Sequence, residues 1–386
     1  MAGSCEQIYV QKALLPAGWA DNVLVTFDDD GSIKTVKAHA VSTEKLRPLT
    51  LLPALIDTHI HGSAGADVMD ATHESLNTIS SFLATKGVGA FLATTVTAQH
   101  KDIERALIQV RDSQRQGVEG AEILGTYLEG PFFTSRHKGA HPENLLHQPE
   151  KSLLEQWIQL ADGSLRCVAL APEYPTSLEL IPWLKSQGIR VMIGHSSADY
   201  ELAQEALNQG ADGVVHCYNG MNGLYHREPG MVGAALTHDQ CQVELICDGH
   251  HVHPAAIKVV HHCCGERLLL ITDAMRAAGM PDGEYLLGEM NVKMKEGVVR
   301  TASGSLAGST LTLDLGVKKF QQFCDISFAQ AWLHGSLYPA KALGIADRLG
   351  SIAPGKQANL TLCDDLREIQ ATFVKGKQVF GELFTK

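Results

Sequence analysis

Seven side chains able to hold a metal ion or move a proton recur at one kind of place in this chain: His59, His61, Glu129, His195, His216, His251 and Asp273 each stand at or just past a short apolar, β-branched run. The first two lie one residue apart in LIDTHIHG, residues 55–62. Successive strand side chains point to opposite faces, so both imidazoles project together. Imidazole nitrogens with a carboxylate suit Zn²⁺ or Fe²⁺, and a site open on one side keeps a coordination position for water. A divalent ion there lowers the pKa of the water and polarises a carbonyl, which makes amide hydrolysis feasible near neutral pH. Asp273, after RLLLIT, is placed to take the proton from that water and return it to a departing amine.

Such residues need a scaffold that delivers strand ends to one rim. Eight short apolar strands alternate with helix-length amphipathic stretches such as DYELAQEALNQG: ALIDTHIH, AFLATTVT, ILGTYLEGP, RCVALAPE, RVMIGHSS, GVVHCYN, VELICDGHH and RLLLITDA. Regular βα alternation implies a parallel sheet, and eight units predict a closed (β/α)₈ barrel whose active site lies at the carboxyl ends of its strands. Before residue 50 and after about residue 349 the texture is that of short strands with polar turns, with Asp30 and Gly31 a hairpin signal. The expected organisation is α/β: residues 1–50 and 346–386 form a small β-sandwich domain from both termini, around a barrel of residues 51–345.

Composition narrows the function. The 386 residues are 45% hydrophobic, enough for one large core, and the net charge of −11 argues against nucleic acid or an anionic membrane as the main partner. An anionic ligand must then be caught by local cations. MAGSCEQIYV is not a charged-then-apolar leader and no apolar run reaches about 18 residues, so the expected location is cytoplasmic. Nine scattered cysteines read as reduced thiols rather than a disulfide framework. The run from His261 to Cys264 falls on an expected barrel helix, where consecutive positions do not face one another. Cys217 points to the face opposite His216 and is expected to pack.

The order His-x-His, Glu, His, His, Asp on successive strands resembles the amidohydrolase superfamily. Longer stretches are similar to its N-acetylhexosamine-6-phosphate deacetylases: LEGPFFTSRHKGAHPENL, GHSSADYELAQEA, HCYNGMNGLYHREPGMVGAAL, DGHHVHP, ITDAMRAAGMPDG, GSLAGSTLTLD and LGSIAPGKQANL. The resemblance implies removal of acetate from an amino sugar 6-phosphate, with Glu129, His195 and His216 holding the metal, Asp273 as acid/base and His141 beside it. It implies substrate contacts from Ala140, His141, Asn219, Gly220, Arg227 and His251, with backbone from Leu306, Ala307 and Gly308 closing the pocket. Related barrels bridge two ions with a modified lysine from the fourth strand, but RCVALAPE has none, which leaves bridging to Glu129. Some deacetylases replace the first-strand histidines by amides and use one metal. Here His59 and His61 remain, so a second ion has ligands. CYNGM and DGHHVHP look more like the N-acetylgalactosamine 6-phosphate branch than the N-acetylglucosamine 6-phosphate one. The resemblance also implies a homodimer in which the MNGLYHREPG loop carries Arg227 toward the neighbouring subunit. Competing readings are a cyclic-amide hydrolase, a nucleobase deaminase and a barrel that has lost its chemistry.

Overall fold

The computed structural model describes residues 7–40 and 47–382. Eight parallel strands pair in sequence order: Leu55–Ile60, Val88–Thr94, Glu122–Glu129, Leu165–Leu170, Arg190–Ile193, Gly213–Val214, Gln242–Ile246 and Leu268–Ile271. These are the eight expected strands. The first and eighth meet through a bridge between Ile60 and Ala274 and through the Asp273 N–H, which donates to the His59 carbonyl at 2.9 Å. A buried side-chain clasp reinforces the seam: the Thr272 hydroxyl donates to Asp57 Oδ2 at 2.6 Å. The ring is thus a (β/α)₈ barrel.

Each strand is followed by a helix packed on the ring, most of them through one apolar stripe, while Gly230–Thr237 is buried on nearly every side. In His100–Gln116 the buried residues are Ile103, Ala106, Leu107, Val110 and Ser113, a spacing of three and four that keeps one face inward. DYELAQEALNQG forms Tyr200–Asn208, started by Asp199, whose carboxylate accepts from the Leu202 N–H at 2.9 Å. His261 to Cys264 end the helix Pro254–Cys264, where only Cys264 is buried among the four. Cys217 is fully buried in the main core.

Strands from both ends of the chain build one seven-stranded sheet, in the order Lys377–Phe380, Ile369–Val374, Leu360–Cys363, Arg47–Pro53, Gln7–Leu15, Gly18–Phe27 and Ile33–Lys37. Ile8, Val10, Val25, Leu51, Leu360 and Phe373 share its apolar core. The Asp-Gly signal marks the turn between its last two strands: Gly31 has φ +83, and a Cβ there would lie 2.2 Å from the Lys375 carbonyl.

A three-stranded antiparallel sheet, Gly283–Leu287, Met290–Lys295 and Val298–Thr301, was not among the expected elements. It leaves the barrel after the eighth strand and packs Leu287, Val292, Met294 and Val299 against Met275, Ala140 and Ala307 at the rim. The alternation in MNVKMK and the turns at Gly288 and Gly297 are its sequence signal.

Candidate active site

The strand ends deliver their polar residues to one centre, and Glu129 is its hub. Its Oε1 lies 3.1 Å from His216 Nε2 and 3.5 Å from the Nε2 atoms of His195 and His59. Its Oε2 lies 3.1 Å from His61 Nε2 and 3.8 Å from His141 Nε2. Asp273 faces the same group, with Oδ1 3.1 Å from His61 Nε2 and 3.6 Å from His59 Nε2. All are buried, and the donor atoms of His59, His61 and Glu129, like those of Glu129, His141 and His195, lie within 4.8 Å of one another.

The far side of each ring determines what the near side can do. Nδ1 of His195 bonds the His137 carbonyl at 2.8 Å, Nδ1 of His216 the Asn219 carbonyl at 3.1 Å, and Nδ1 of His61 the Thr94 carbonyl at 3.2 Å. A carbonyl only accepts, so each Nδ1 carries the proton and each neutral ring turns an Nε2 lone pair inward. There the lone pairs meet carboxylates and one another: the Nε2 atoms of His195 and His216 are 3.1 Å apart. Such a set is repulsive unless a cation sits among it or the rings take up protons. Burial alone pulls His61 down, yet the carboxylates of Asp273 and Glu129 overcome it and raise it to about 10. Burial would raise Glu129, but the surrounding histidines hold it well below the usual carboxylate range. The donor set, with its outer nitrogens anchored, fits a divalent metal site.

Backbone conformation aims these groups. His195, His216 and Asp273 have φ of +47, +26 and +50 just beyond their strands, the left-handed region that non-glycine residues seldom occupy. Strain of roughly 1–3 kcal/mol per residue is typical of positions that orient functional side chains. Gly220 lets the next loop approach, because a Cβ there would stand 2.9 Å from His195 Nδ1.

Above the cluster opens a cavity of about 390 Å³, lined by His61, Glu129, Ala140, His141, His195, His216, Asn219, Gly220, His251, Asp273, Leu306 and Gly308 among others. His251 is aimed by Asp248, whose Oδ2 lies 2.6 Å from its Nδ1. His141 Nδ1 meets Thr97 Oγ1 at 2.8 Å, and burial together with the nearby His195 keeps this imidazole well below its ordinary pKa. His59 lies under the floor, fully buried. Two expected contacts stand outside the lining. Ala307 is buried behind the wall, and Arg227 is exposed on the 221–230 loop, without an ion-pair partner among the described residues. Sequence reasoning missed Glu244, whose Oε2 lies 3.1 Å from His59 Nδ1, and the carbonyls of Thr94 and His137. Glu244 left a signal: an acidic residue in the middle of the apolar strand QVELI.

Residues 50–379 match the amidohydrolase family. The chain is 53% identical over 374 residues to an N-acetylglucosamine-6-phosphate deacetylase of Vibrio furnissii, covering 96% of this chain and 94% of that protein. It is 47% identical over 367 residues to an N-acetylgalactosamine-6-phosphate deacetylase of Escherichia coli O157:H7, covering 95% and 97%. Among solved structures, a Mycobacterium smegmatis N-acetyl-D-glucosamine-6-phosphate deacetylase mutant in complex with N-acetyl-D-glucosamine 6-phosphate superposes with a TM-score of 0.91 at 28% identity, covering 98% and 100%.

Proposed function

The chain belongs to the amidohydrolase family, and from that premise we propose that it hydrolyses the N-acetyl group of an amino sugar 6-phosphate to the free amine and acetate. The observation that carries the reading is the inward convergence of imidazole lone pairs on Glu129, with Asp273 at the cavity floor beside them. Relatives that cover almost the whole chain carry the same reaction in their names.

Glu129, His195 and His216 would hold the main ion, with His59 and His61 available for a second; Zn²⁺ is the ion we assign, and Fe²⁺ suits the same donors. When bound, the ion supplies Lewis-acid polarisation and a more acidic water. The chain's own groups do the rest. Asp273 Oδ1 accepts the proton of the attacking water and, as the C–N bond breaks, delivers it to the departing amine nitrogen. His141 is neutral; in the tautomer whose Nδ1 accepts from the Thr97 hydroxyl, its Nε2–H faces the cavity and can hydrogen-bond the acetyl oxygen as charge builds there. His251, Asn219, the Gly220 backbone and the 305–308 segment surround the sugar phosphate.

Arg227 belongs to a second part of the reading. Its loop also exposes Leu224 and Tyr225, at 47% and 67%. In a homodimer this surface is covered and Arg227 reaches the neighbouring phosphate, where a guanidinium fork suits the anion. Eight free cysteines among the described residues and a phosphorylated substrate fit a cytoplasmic location.

The test is acetate release from N-acetylgalactosamine 6-phosphate and N-acetylglucosamine 6-phosphate, measured side by side with the unphosphorylated sugars. Turnover of one or both phosphates well above the free sugars is expected. No release from either phosphate by metal-replete protein overturns the reading.

A further inference from the structure

Four histidines of the centre have their outer nitrogen anchored, but one anchor differs in kind. His61, His195 and His216 are backed by backbone carbonyls, whereas Nδ1 of His59 faces a carboxylate, Glu244 Oε2, at 3.1 Å. Glu244 is 3% exposed in the seventh barrel strand and His59 is fully buried. The Tyr127 ring packs on the imidazole at 4.7 Å between centroids, so the ring is held on one edge and one face. Among the described residues its Nε2 has no hydrogen-bond partner, and it points between Glu129 Oε1 at 3.5 Å and Asp273 Oδ1 at 3.6 Å. A carboxylate only accepts a hydrogen bond, so it keeps the proton on Nδ1 and enriches the Nε2 lone pair more than a neutral carbonyl does.

The buried charge points the same way. With neutral histidines, Glu129, Asp273 and Glu244 crowd three buried carboxylates around His59 and His61, and a fourth, Asp57, accepts from the His59 N–H at 3.3 Å. One divalent ion offsets only two of those charges, so a second is favoured there and leaves the centre a better host for an anionic substrate. Resting on the deacetylase reading of this site, we propose that Glu244 is a positioning residue: it holds His59 in the tautomer of a metal ligand and supplies the charge that makes a second divalent ion at the His59–His61 pair favourable. The contrary arrangement is a structural ion pair, with a protonated His59 wedged between Glu244 and Glu129 and no second ion.

The two separate in metal binding, independently of turnover. Protein stripped by chelator is titrated with Zn²⁺ and with Co²⁺, and metal-to-protein ratios are read by elemental analysis. Parent protein is expected to bind two ions. Glu244→Gln keeps shape and an acceptor but removes the charge, and should weaken the second ion roughly 10- to 100-fold while the first is held as before. In a His59→Gln background the same change should weaken the second ion clearly less than it does in the parent, because the orienting part of its effect needs His59 and only the through-space charge remains. Parent protein binding a single ion overturns the proposal without any variant, as does a Glu244→Gln protein that binds two ions with parental affinity or weakens both alike. Two bound ions without acetate release would overturn the substrate reading and leave this one standing.

Discussion

At the carboxyl end of the barrel, buried imidazoles turn their Nε2 atoms toward Glu129 and Asp273; at the amino end the imidazole of His334 is buried just as deeply and does the opposite. His334 is 3% exposed, donates Nδ1–H to the Leu268 carbonyl at 2.8 Å, and stacks edge-on to Phe320 and Tyr338 with centroids 4.8 Å away. No carboxylate contacts it among the described residues. Burial therefore acts alone in the main, and lowers His334 to about 4. At the other end the same burial is overridden by carboxylates. The difference teaches how to separate a packed histidine from a reactive one: a ring with one neutral acceptor closes a structure, whereas rings whose second nitrogen is turned on a carboxylate demand a cation. In barrels of this kind the amino end serves stability and the carboxyl end chemistry.

The comparison breaks first at Asp273. If the carboxyl-end carboxylates do chemistry rather than packing, Asp273→Asn should keep its metal and fold yet lose about 10²- to 10⁴-fold in kcat, because an amide cannot accept the water's proton. Turnover near the parent's would remove Asp273 from the mechanism. Metal content sharpens the contrast next. His195→Ala and His216→Ala should lose the main ion, changes at His59 and His61 should act mainly on a second, and His334→Gln should leave the ratio untouched. A His195→Ala protein that retains its full complement would contradict the assignment of Glu129, His195 and His216.

A smaller effect is expected at Arg227. If it serves phosphate from a partner copy, Arg227→Ala should cost roughly 1.5–3 kcal/mol in kcat/KM on the phosphorylated substrate, about 10- to 150-fold, and change little for the unphosphorylated sugar. Equal losses on both would assign Arg227 to the fold or the dimer instead.

The pattern of strands was legible because each barrel strand is a short apolar run closed by a polar residue, and the rim follows once eight such runs are counted. His59 and His61 could be placed on one face from strand period alone. What stayed hidden depends on contacts distant in sequence. Glu244 meets His59 across 185 positions, and the Thr94 and His137 anchors are backbone carbonyls that no side-chain motif reports. The left-handed turns at His195, His216 and Asp273 are equally unreadable, since His and Asp tolerate that region without requiring it. The three-stranded sheet at 283–301 does carry a readable alternation, but it lies between the eighth barrel strand and the SGSLAGS stretch, outside the βα pattern that defines the barrel.

The smallest effect concerns the amino end by itself and appears as pH-dependent stability rather than activity. His334 has a folded pKa of about 4, below the ordinary value of 6.5. Its neutral form is the one the fold accepts, so above 6.5 the ring adds no pH dependence. As pH falls from 6.5 toward 4, the unfolded chain takes up a proton that the folded chain refuses, and stability is lost. Linkage puts that loss at about 2 kcal/mol between pH 7.5 and pH 5. His334→Gln cannot titrate, so although it weakens packing at every pH, it should show about 2 kcal/mol less acid destabilisation over that interval than the parent. The measurement is the denaturant midpoint of both proteins, metal-replete, at the two pH values, with the difference between proteins cancelling every other titrating group. An identical acid slope in both would mean that His334 takes up its proton as readily in the fold as in the unfolded chain, and the contrast between the two ends of the barrel would fail at its quieter end.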